Sequence, residues 1–360
     1  MEKIMLYSIG IFFLVGVIDY IFGGKYGLSK GIESGIKSMG SLALSMIGIL
    51  SITPIISDLI IKYILTIFKN ILVDPTIIVS SFIAVDMGGY KIVQSISTDQ
   101  GIIYFSGILI SSILGCTISF TLPLALGIVK EKNIDILCKG ILCGIVVLPI
   151  GLLVGGILLK IKLSLILINL MPIVIISIFV VIGLYKKPNK MIICFKYLAK
   201  FIMILGLIGL GVQGFTSITG VVIIKNLLAL EETLTIVGKI AIFLAGANVM
   251  LEIIKVVFKN KIAILEKVLN INSASVGALI GSLASAVIVF TNFDELDDRG
   301  KLVCSAFSVA GAYVFGGQLG YVVIEAKDIT LIYILVKLIS GFLGVALALK
   351  LSKKELRKIS

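Results

Sequence analysis

The chain of 360 residues is too apolar for a soluble globular protein: 59% of its residues are hydrophobic, 14% are charged, and its mean hydropathy is +1.18. Soluble domains carry charge on about 25% of their residues. The net charge of +12 does not indicate nucleic acid, because the lysines lie between apolar segments, where they orient the chain and meet anionic lipid head groups. The composition therefore predicts an all-α polytopic membrane protein whose partner is the lipid bilayer, with no nucleic-acid binding.

Apolar segments follow one another along the chain, and most are long enough to cross a bilayer core of about 30 Å. In chain order they are 5–22, 36–68, 75–97, 101–128, 136–159, 163–185, 195–215, 233–258, 272–293, 300–325 and 329–349. Segment 36–68 is too long for a simple span and contains Pro54, so we expect it to be broken or strongly tilted. Segment 75–97 begins with Pro75, a helix-start signal, and we expect an interruption at Gly88-Gly89.

An internal repeat is predicted from a match at an offset of about 198 residues. Residues 39–44 align with 237–242, and residues 72–75 align with 270–273. We therefore interpret residues 1–360 as a single membrane transport domain. Its predicted parts are a first repeat 5–160, a linking helix 163–185, a second repeat 195–349 and a cytoplasmic tail 350–360.

The basic residues select between two topologies. If every segment crosses, lysine and arginine divide almost evenly between the two faces. If 75–97 and 272–293 are instead re-entrant hairpins, most basic residues share one face, which the positive-inside rule makes cytoplasmic. The second arrangement gives about nine full transmembrane helices plus two hairpins, a cytoplasmic carboxyl terminus, and two repeats in opposite orientations, as in many secondary transporters.

The sequence lacks several residue types and motifs on which catalysis commonly depends, so it does not favour an enzyme. The chain contains no histidine, which removes histidine-based triads and zinc-protease helices, and it has no Gly-rich phosphate loop for ATP-driven transport. Its cysteines show no metal-ligand spacing and are predicted to be buried packing thiols: Cys116, Cys138, Cys143, Cys194 and Cys304. We expect a transporter or channel rather than an enzyme, with no cofactor and no metal.

Asp86 is the strongest candidate for a functional residue. It lies in an apolar segment and is followed closely by Gly88 and Gly89. A charge at bilayer depth costs several kcal/mol unless it is paired or hydrated, and the glycines allow the helix to stop beside it, as in transporters built on broken helices. We predict a substrate or ion site at Asp86; the alternative is that Asp86 caps a helix or neutralises Lys91.

Further candidates lie where the breaks and the repeat bring polar or aromatic groups to a similar depth. They are Met87, Gly88, Gly89, Tyr90, Thr117, Ser119, Asn248, Ser282, Ser285, Asn292, Gln318 and Tyr321. Tyr90 could attract an organic cation or be an interfacial aromatic. The stretches before Pro123 and around Gly316-Gly317 are predicted to be unwound beside a water-filled cavity. The alternative for the small polar residues is packing between helices.

Other acidic residues are assigned mainly to segment ends. Asp19 is predicted to be an interfacial acid, with an access path as the alternative, and Asp58 to be a cap or interfacial residue. Most of the run Asn292–Lys301 is expected to be a solvated loop, with helix-starting acids next to Arg299.

On these residues the chain resembles the ethanolamine utilisation transporter family of the EutH type, over nearly its whole length. The most specific shared pieces are Ala84–Tyr90, Leu124–Ile128, Asp298–Lys301 and Leu319–Tyr321. The resemblance implies a multi-pass plasma-membrane permease that takes up ethanolamine. The chain departs from the family at Ser285-Ala286, where an Asn pair is usual, and at Gly317-Gln318, where an Asp-His pair is usual.

The chemistry of ethanolamine agrees with this resemblance. At neutral pH it is mostly an ammonium with a hydroxyl on a short stem, so a buried carboxylate can bind the ammonium while carbonyls and small hydroxyls accept the remaining donors. Two alternatives stay open: a secondary transporter of another small amine or polar metabolite, and a membrane scaffold or signalling protein without flux. Passive, proton-coupled and sodium-coupled transport are all compatible with the sequence, as is a homodimer.

Overall fold

The computed structural model describes residues 2–68, 72–257 and 259–359, and within these ranges the regular structure is helical, without strands. In chain order the α-helices are α1 (Glu2–Ile21), α2 (Ser29–Ser51), α3 (Thr53–Phe68), α4 (Thr76–Phe82), α5 (Gly89–Ile96), α6 (Gln100–Ile102), α7 (Leu122–Ile128), α8 (Ile134–Leu158), α9 (Leu163–Lys186), α10 (Pro188–Thr219), α11 (Leu230–Val257), α12 (Lys259–Leu269), α13 (Ser273–Ser282), α14 (Val287–Thr291), α15 (Asp298–Ala310), α16 (Gly317–Glu325) and α17 (Thr330–Ile359). Short 3₁₀ turns occupy Val85–Met87, Glu131–Asn133, Phe293–Glu295 and Lys327–Ile329.

Six helices of the described chain are long and apolar enough to cross a membrane. They are Gln100–Leu126, Glu131–Leu158, Leu163–Gly183, Lys200–Thr219, Leu230–Ile254 and Lys327–Ser352. The prediction of an all-helical membrane protein is confirmed. A count of nine crossings stays a prediction. Among the described residues, Tyr7–Ile21 of α1 is a shorter apolar helix, and segment 300–325 is divided between α15 and α16.

The long segment 36–68 is broken as expected, and α3 begins at Thr53 beside Pro54. The stretch before Pro123 differs from the prediction. Ile103–Gly115 and Thr117–Thr121 are π-helical and join α6 to α7 without unwinding. The wider helical turn changes the hydrogen-bond partners by one residue, so that Cys116 N donates to Ser111 O, and no backbone group has to be freed there.

Segment 75–97 is divided between α4, with seven residues, and α5, with eight. Each is roughly 10–12 Å long, too short to cross a bilayer core alone. Both pack against the π-helical stretch Ile103–Gly115. The interruption starts at Ile83, five residues before the predicted glycine pair, and Gly89 is already helical.

The second predicted hairpin, 272–293, has both of its ends at one place. Asn272 Nδ2 donates to Glu295 O at 2.9 Å, and Asn272 N donates to Asp297 Oδ1 at 3.0 Å. Between these ends, α13 and α14 pack side by side. The segment therefore forms a hairpin, while the membrane face from which it starts stays a prediction.

Helices of the two predicted repeats occur in the same order, with α9 between them. With the predicted offset of about 198 residues, α2, α4, α5 and α8 of the first half fall on α11, α13, α14 and α17 of the second half. Helix α2 packs against α11, while α1 packs against α11 and α10 packs against α2. The division into repeats and their opposite orientations stay predictions.

Asp19 organises the connection between α1 and α2. It is buried, and its carboxylate accepts hydrogen bonds from the backbone N–H groups of Tyr26, Leu28 and Ser29 at 2.8 to 2.9 Å. These include groups at the start of α2 that would otherwise lack partners. Asp19 therefore fixes a loop and a helix start, and these contacts do not indicate an access path.

One smaller expectation, on Cys194, is corrected, while the cytoplasmic tail stays a prediction. Cys194 is exposed, whereas the other four cysteines are buried as predicted. The predicted tail 350–360 is a continuation of α17 as far as Ile359, and Ser360 lies outside the described residues.

Glycine allows α2 and α10 to approach closely, and this contact generates a stability prediction. A Cβ atom on Gly48 would overlap the Gly206 carbonyl oxygen, whereas a Cβ on Gly40 of the same helix would meet nothing within 4 Å. We expect Gly48→Ala to destabilise the protein by about 1–3 kcal/mol through overpacking. The measurement is the Tm of the detergent-solubilised protein. Gly40→Ala is the matched control and should not lower the Tm, since alanine favours a helix; equal Tm values for the two variants would contradict this packing.

Candidate functional site

A cavity of about 600 Å³ lies among the helix breaks, within the range typical of small-molecule sites. Its walls come from α2, α11, the turn after α4, the π-helical stretch, the tip of the α13–α14 hairpin and the break between α15 and α16. The lining residues are Ser34, Ser38, Leu42, Met46, Asp86, Met87, Cys116, Phe120, Leu244, Asn248, Ala284, Ser285, Val287, Ile288, Tyr313, Gly317 and Gln318. The cavity is therefore mostly apolar, with a few polar groups directed into it.

A tight turn carries Asp86 to this cavity. Ile83 and Ala84 are extended, and the backbone N–H groups of Met87 and Gly89 both donate to Ala84 O, at 3.0 and 3.1 Å. Gly88 has a φ of +93°, a conformation that glycine adopts readily. The glycines thus serve the turn rather than the cavity wall.

The Asp86 carboxylate remains available to the cavity. Within the described residues it forms no ion pair, and it lines the cavity. Lys91, the predicted alternative partner, donates instead to the Glu325 carboxylate. The structure therefore gives Asp86 no neutralising contact with Lys91.

The opposite wall is held by backbone hydrogen bonds between two breaks. Tyr313 N donates to Ser282 O at 3.0 Å, and Phe315 N donates to Leu283 O at 2.8 Å. A Cβ on Gly316 would overlap the Ala284 carbonyl oxygen. The two segments therefore approach closely only because this residue is glycine. These contacts pair backbone groups that bilayer hydrocarbon could not satisfy, and they position Ser285 and Gln318 at the cavity.

Lys337 lies behind this wall and was missed by the sequence analysis. Its side chain is 1% exposed, and its Nζ donates to Gln318 Oε1 and to Ser112 O, each at 2.9 Å. A lysine inside the apolar span Lys327–Ser352 has the free-energy cost of a charge within the bilayer, which is the reason that Asp86 was chosen as a candidate. The same rule applied to cations would have found it.

Five predicted site residues line the cavity together: Asp86, Met87, Asn248, Ser285 and Gln318. Six others do not line it: Gly88, Gly89, Tyr90, Thr117, Ser119 and Tyr321. Tyr90 and Tyr321 are buried against each other, with ring centroids 6.5 Å apart. The hydroxyls of Thr117 and Ser119 donate to backbone carbonyls of the π-helical stretch, and Thr117 also bonds Val309 O at 2.8 Å.

Two further candidates from the second hairpin also lie away from the cavity wall. The Ser282 hydroxyl donates to Leu279 O, and Asn292 is exposed with its amide donating to Ile288 O. Their hydrogen bonds match the packing alternative. The lining residues Ser34, Cys116 and Tyr313 carried no signal in the sequence, because only the tertiary fold brings them to Asp86.

The other acidic residues fix structure at the surface. Asp58 is exposed. Asp294 bonds Lys130 at 2.5 Å and accepts from Asn133 Nδ2 at 2.8 Å, and the Lys130 ammonium holds the pKa of the Asp294 carboxyl below its usual range. Asp297 accepts from Ser275 Oγ at 2.8 Å. The run expected to be a solvated loop therefore also anchors the ends of the second hairpin.

Comparison with known proteins gives matches over nearly the whole chain. Residues 1–351 match the family described as "Ethanolamine utilisation protein, EutH". The chain is 33% identical over 357 residues to "Probable ethanolamine permease EutH" of Listeria monocytogenes serotype 1/2a, covering 99% of this chain and 96% of the relative. It is 28% identical over 392 residues to the protein of the same name from Escherichia coli K12, covering 98% and 96%.

A third relative is the "Uncharacterized protein YxeR" of Bacillus subtilis strain 168. It is 32% identical over 360 residues, and the match covers 99% of this chain and 97% of the relative. No solved structure matches. The family match covers far more than half of the sequence, and it agrees with the apolar helices and with the resemblance seen around Asp86. The chain therefore belongs to the EutH ethanolamine utilisation family.

Proposed function

We propose that the protein is a permease that takes ethanolamine across the plasma membrane through the cavity beside Asp86. The observation that carries the proposal is a carboxylate that faces this cavity and forms no ion pair within the described residues. Such a carboxylate binds a small ammonium ion through charge-assisted hydrogen bonds. The names of the relatives as ethanolamine permeases support the same substrate.

Access to this cavity differs between the two membrane faces. Ser34, near the start of α2, is exposed and lines the cavity, so the opening lies toward the loop 22–28. On the side of the cavity away from this loop, α5 contacts α16. Tyr90 of α5 packs against Tyr321 of α16, and Lys91 of α5 forms an ion pair with Glu325 of α16. With the orientation predicted from the basic residues, the protein is open to the cytoplasm and closed to the outside.

A carrier of another small amine is the second candidate. Ser285 and Gln318 line the cavity and are the positions at which the chain departs from the pattern of the family. Like an ethanolamine permease, such a carrier would bind the ammonium at Asp86. It would differ in the groups that contact the rest of the substrate. A scaffold without flux has no need of an unpaired carboxylate at a cavity of about 600 Å³.

Asp86→Asn is expected to lower ethanolamine uptake into proteoliposomes at least tenfold. A hydrogen bond to a charged group contributes about 1.5–3 kcal/mol, which corresponds to roughly 10- to 100-fold in affinity. The readout is the initial rate of labelled ethanolamine uptake at subsaturating concentration. Asp58→Asn is the matched control, since Asp58 is exposed on α3 and should tolerate the change. Full uptake by a folded Asp86→Asn variant would refute the proposed site.

Opening toward the outside is expected to require rupture of the Lys91–Glu325 pair. In a variant with the five native cysteines replaced and Ser285→Cys introduced, a membrane-impermeant thiol reagent should label position 285 from the cytoplasmic side. Adding Lys91→Glu places two carboxylates together and should accelerate labelling from outside by roughly fivefold or more, since 1 kcal/mol changes a two-state ratio by about fivefold.

The control for this experiment is the exchanged pair, Lys91→Glu with Glu325→Lys, which restores opposite charges and should restore slow external labelling. External labelling that is as fast in the Ser285→Cys parent as in the Lys91→Glu variant would show that this pair does not close the outer side.

A further inference from the structure

We propose that Lys337 is a positioning residue that fixes the Gln318 amide, so that the Gln318 NH₂ group donates to the hydroxyl oxygen of an amino alcohol whose ammonium binds Asp86. This inference rests on the proposed function and deepens it. It identifies the substrate class as short amino alcohols, recognised at two points, rather than alkyl amines in general.

The orientation of the Gln318 amide follows from its partner. The oxygen and nitrogen of a glutamine amide are nearly indistinguishable by shape and must be assigned from hydrogen bonds. A lysine ammonium has donors and no acceptor, so the amide atom 2.9 Å from Lys337 Nζ must be Oε1. The Tyr333 hydroxyl lies 3.5 Å from the same oxygen. The NH₂ group therefore points away from Lys337.

Lys337 is itself held in place. Besides Gln318 it donates to Ser112 O at 2.9 Å, and its Nζ lies 5.5 Å from the centre of the Tyr333 ring. Its side chain is 1% exposed and is not among the residues that line the cavity. Lys337 thus acts on a ligand through Gln318 and not by touching it.

The Gln318 amide meets the cavity beside the Cys116 thiol. A thiol is only a weak hydrogen-bond acceptor, so it does not saturate an amide N–H. Gln318 is 2% exposed, and a donor this deeply buried gains from a better acceptor supplied by a ligand. The hydroxyl oxygen of an amino alcohol is such an acceptor.

The cavity wall consequently offers a ligand two groups of different chemistry. Asp86 offers acceptors only, while Gln318 offers a donor with the Lys337 ammonium behind it. Ethanolamine carries an ammonium at one end of a two-carbon stem and a hydroxyl oxygen at the other. Propylamine has the same number of heavy atoms and the same ammonium but leaves the Gln318 NH₂ group with only the weak Cys116 acceptor, and a site built to bond a hydroxyl discriminates against an analogue that lacks it.

The test is competition against labelled ethanolamine uptake in proteoliposomes, with unlabelled ethanolamine and propylamine as competitors. For the parent protein we expect ethanolamine to compete about 3- to 10-fold better, the value of one neutral hydrogen bond. Lys337→Met should reduce this ratio toward one, because the amide is no longer held. The double variant Lys337→Met/Gln318→Met replaces both partners with apolar groups and should show the same ratio as Lys337→Met, since the two residues act as one unit.

The ratio separates positioning from a merely structural role, which would weaken both competitors equally. Where the double variant is not recovered folded, Gln318→Asn gives the same test, because the shorter side chain cannot reach Lys337 and the ligand together. An unchanged ratio in folded variants, or a parent without preference for ethanolamine, overturns this inference and leaves the permease intact. A parent that transports neither amine overturns the proposed function itself.

Discussion

A backbone group that leaves a helix inside a bilayer must find its partner within the protein, because hydrocarbon offers none. In this fold the partners are other interrupted segments. The tip of the α13–α14 hairpin exposes carbonyls at Ser282 and Leu283, and the break after α15 supplies the N–H groups that they accept. The position of Ser285 and Gln318 at the cavity depends on this mutual pairing. A site of this type cannot form in either segment alone.

The placement of charged residues relative to the bilayer explains which features could be predicted from the sequence. An acid in an apolar run with two glycines after it must be paired or functional, and this was enough to find Asp86. The prediction of a hairpin at 272–293 came from lysine and arginine, which record the loops that share a face; the hydrogen bond between Asn272 and Asp297 agrees with it, while re-entry from one membrane face stays a prediction. The interruption before Gly88 was placed too late, since glycine marks where a positive φ is needed rather than where the preceding helix ends.

Other features depend on tertiary contacts that no local pattern encodes. Thr117 and Tyr90 are of residue types that often line binding sites. In the structure, however, the Thr117 hydroxyl donates to Val309 O, and the Tyr90 ring packs against the Tyr321 ring. The π-helical stretch could not be distinguished from an unwound one, because both place small polar residues before Pro123. Ser34 and Cys116 reach the cavity only through the packing of distant helices.

Partial exposure of Asp86 and a buried lysine near the cavity explain how an unpaired carboxylate is tolerated. Asp86 and Lys337 interact electrostatically without forming an ion pair, and Lys337 is bonded instead to Gln318 and Ser112. The positive charge therefore offsets part of the cost of burying the acid. Because the two groups form no ion pair, the carboxylate oxygens stay free for a ligand.

The glycine contacts of α2 restrict how this protein can change shape. Gly48 abuts Gly206 on one side, and Gly35 abuts the Ala245 backbone on the other. Side chains that interdigitate can shear past one another by small rotamer adjustments, but backbones in direct contact have no such freedom. Helices α2, α10 and α11 therefore pack backbone against backbone at Gly48 and Gly35, and any change of shape that separates these helices must break both contacts.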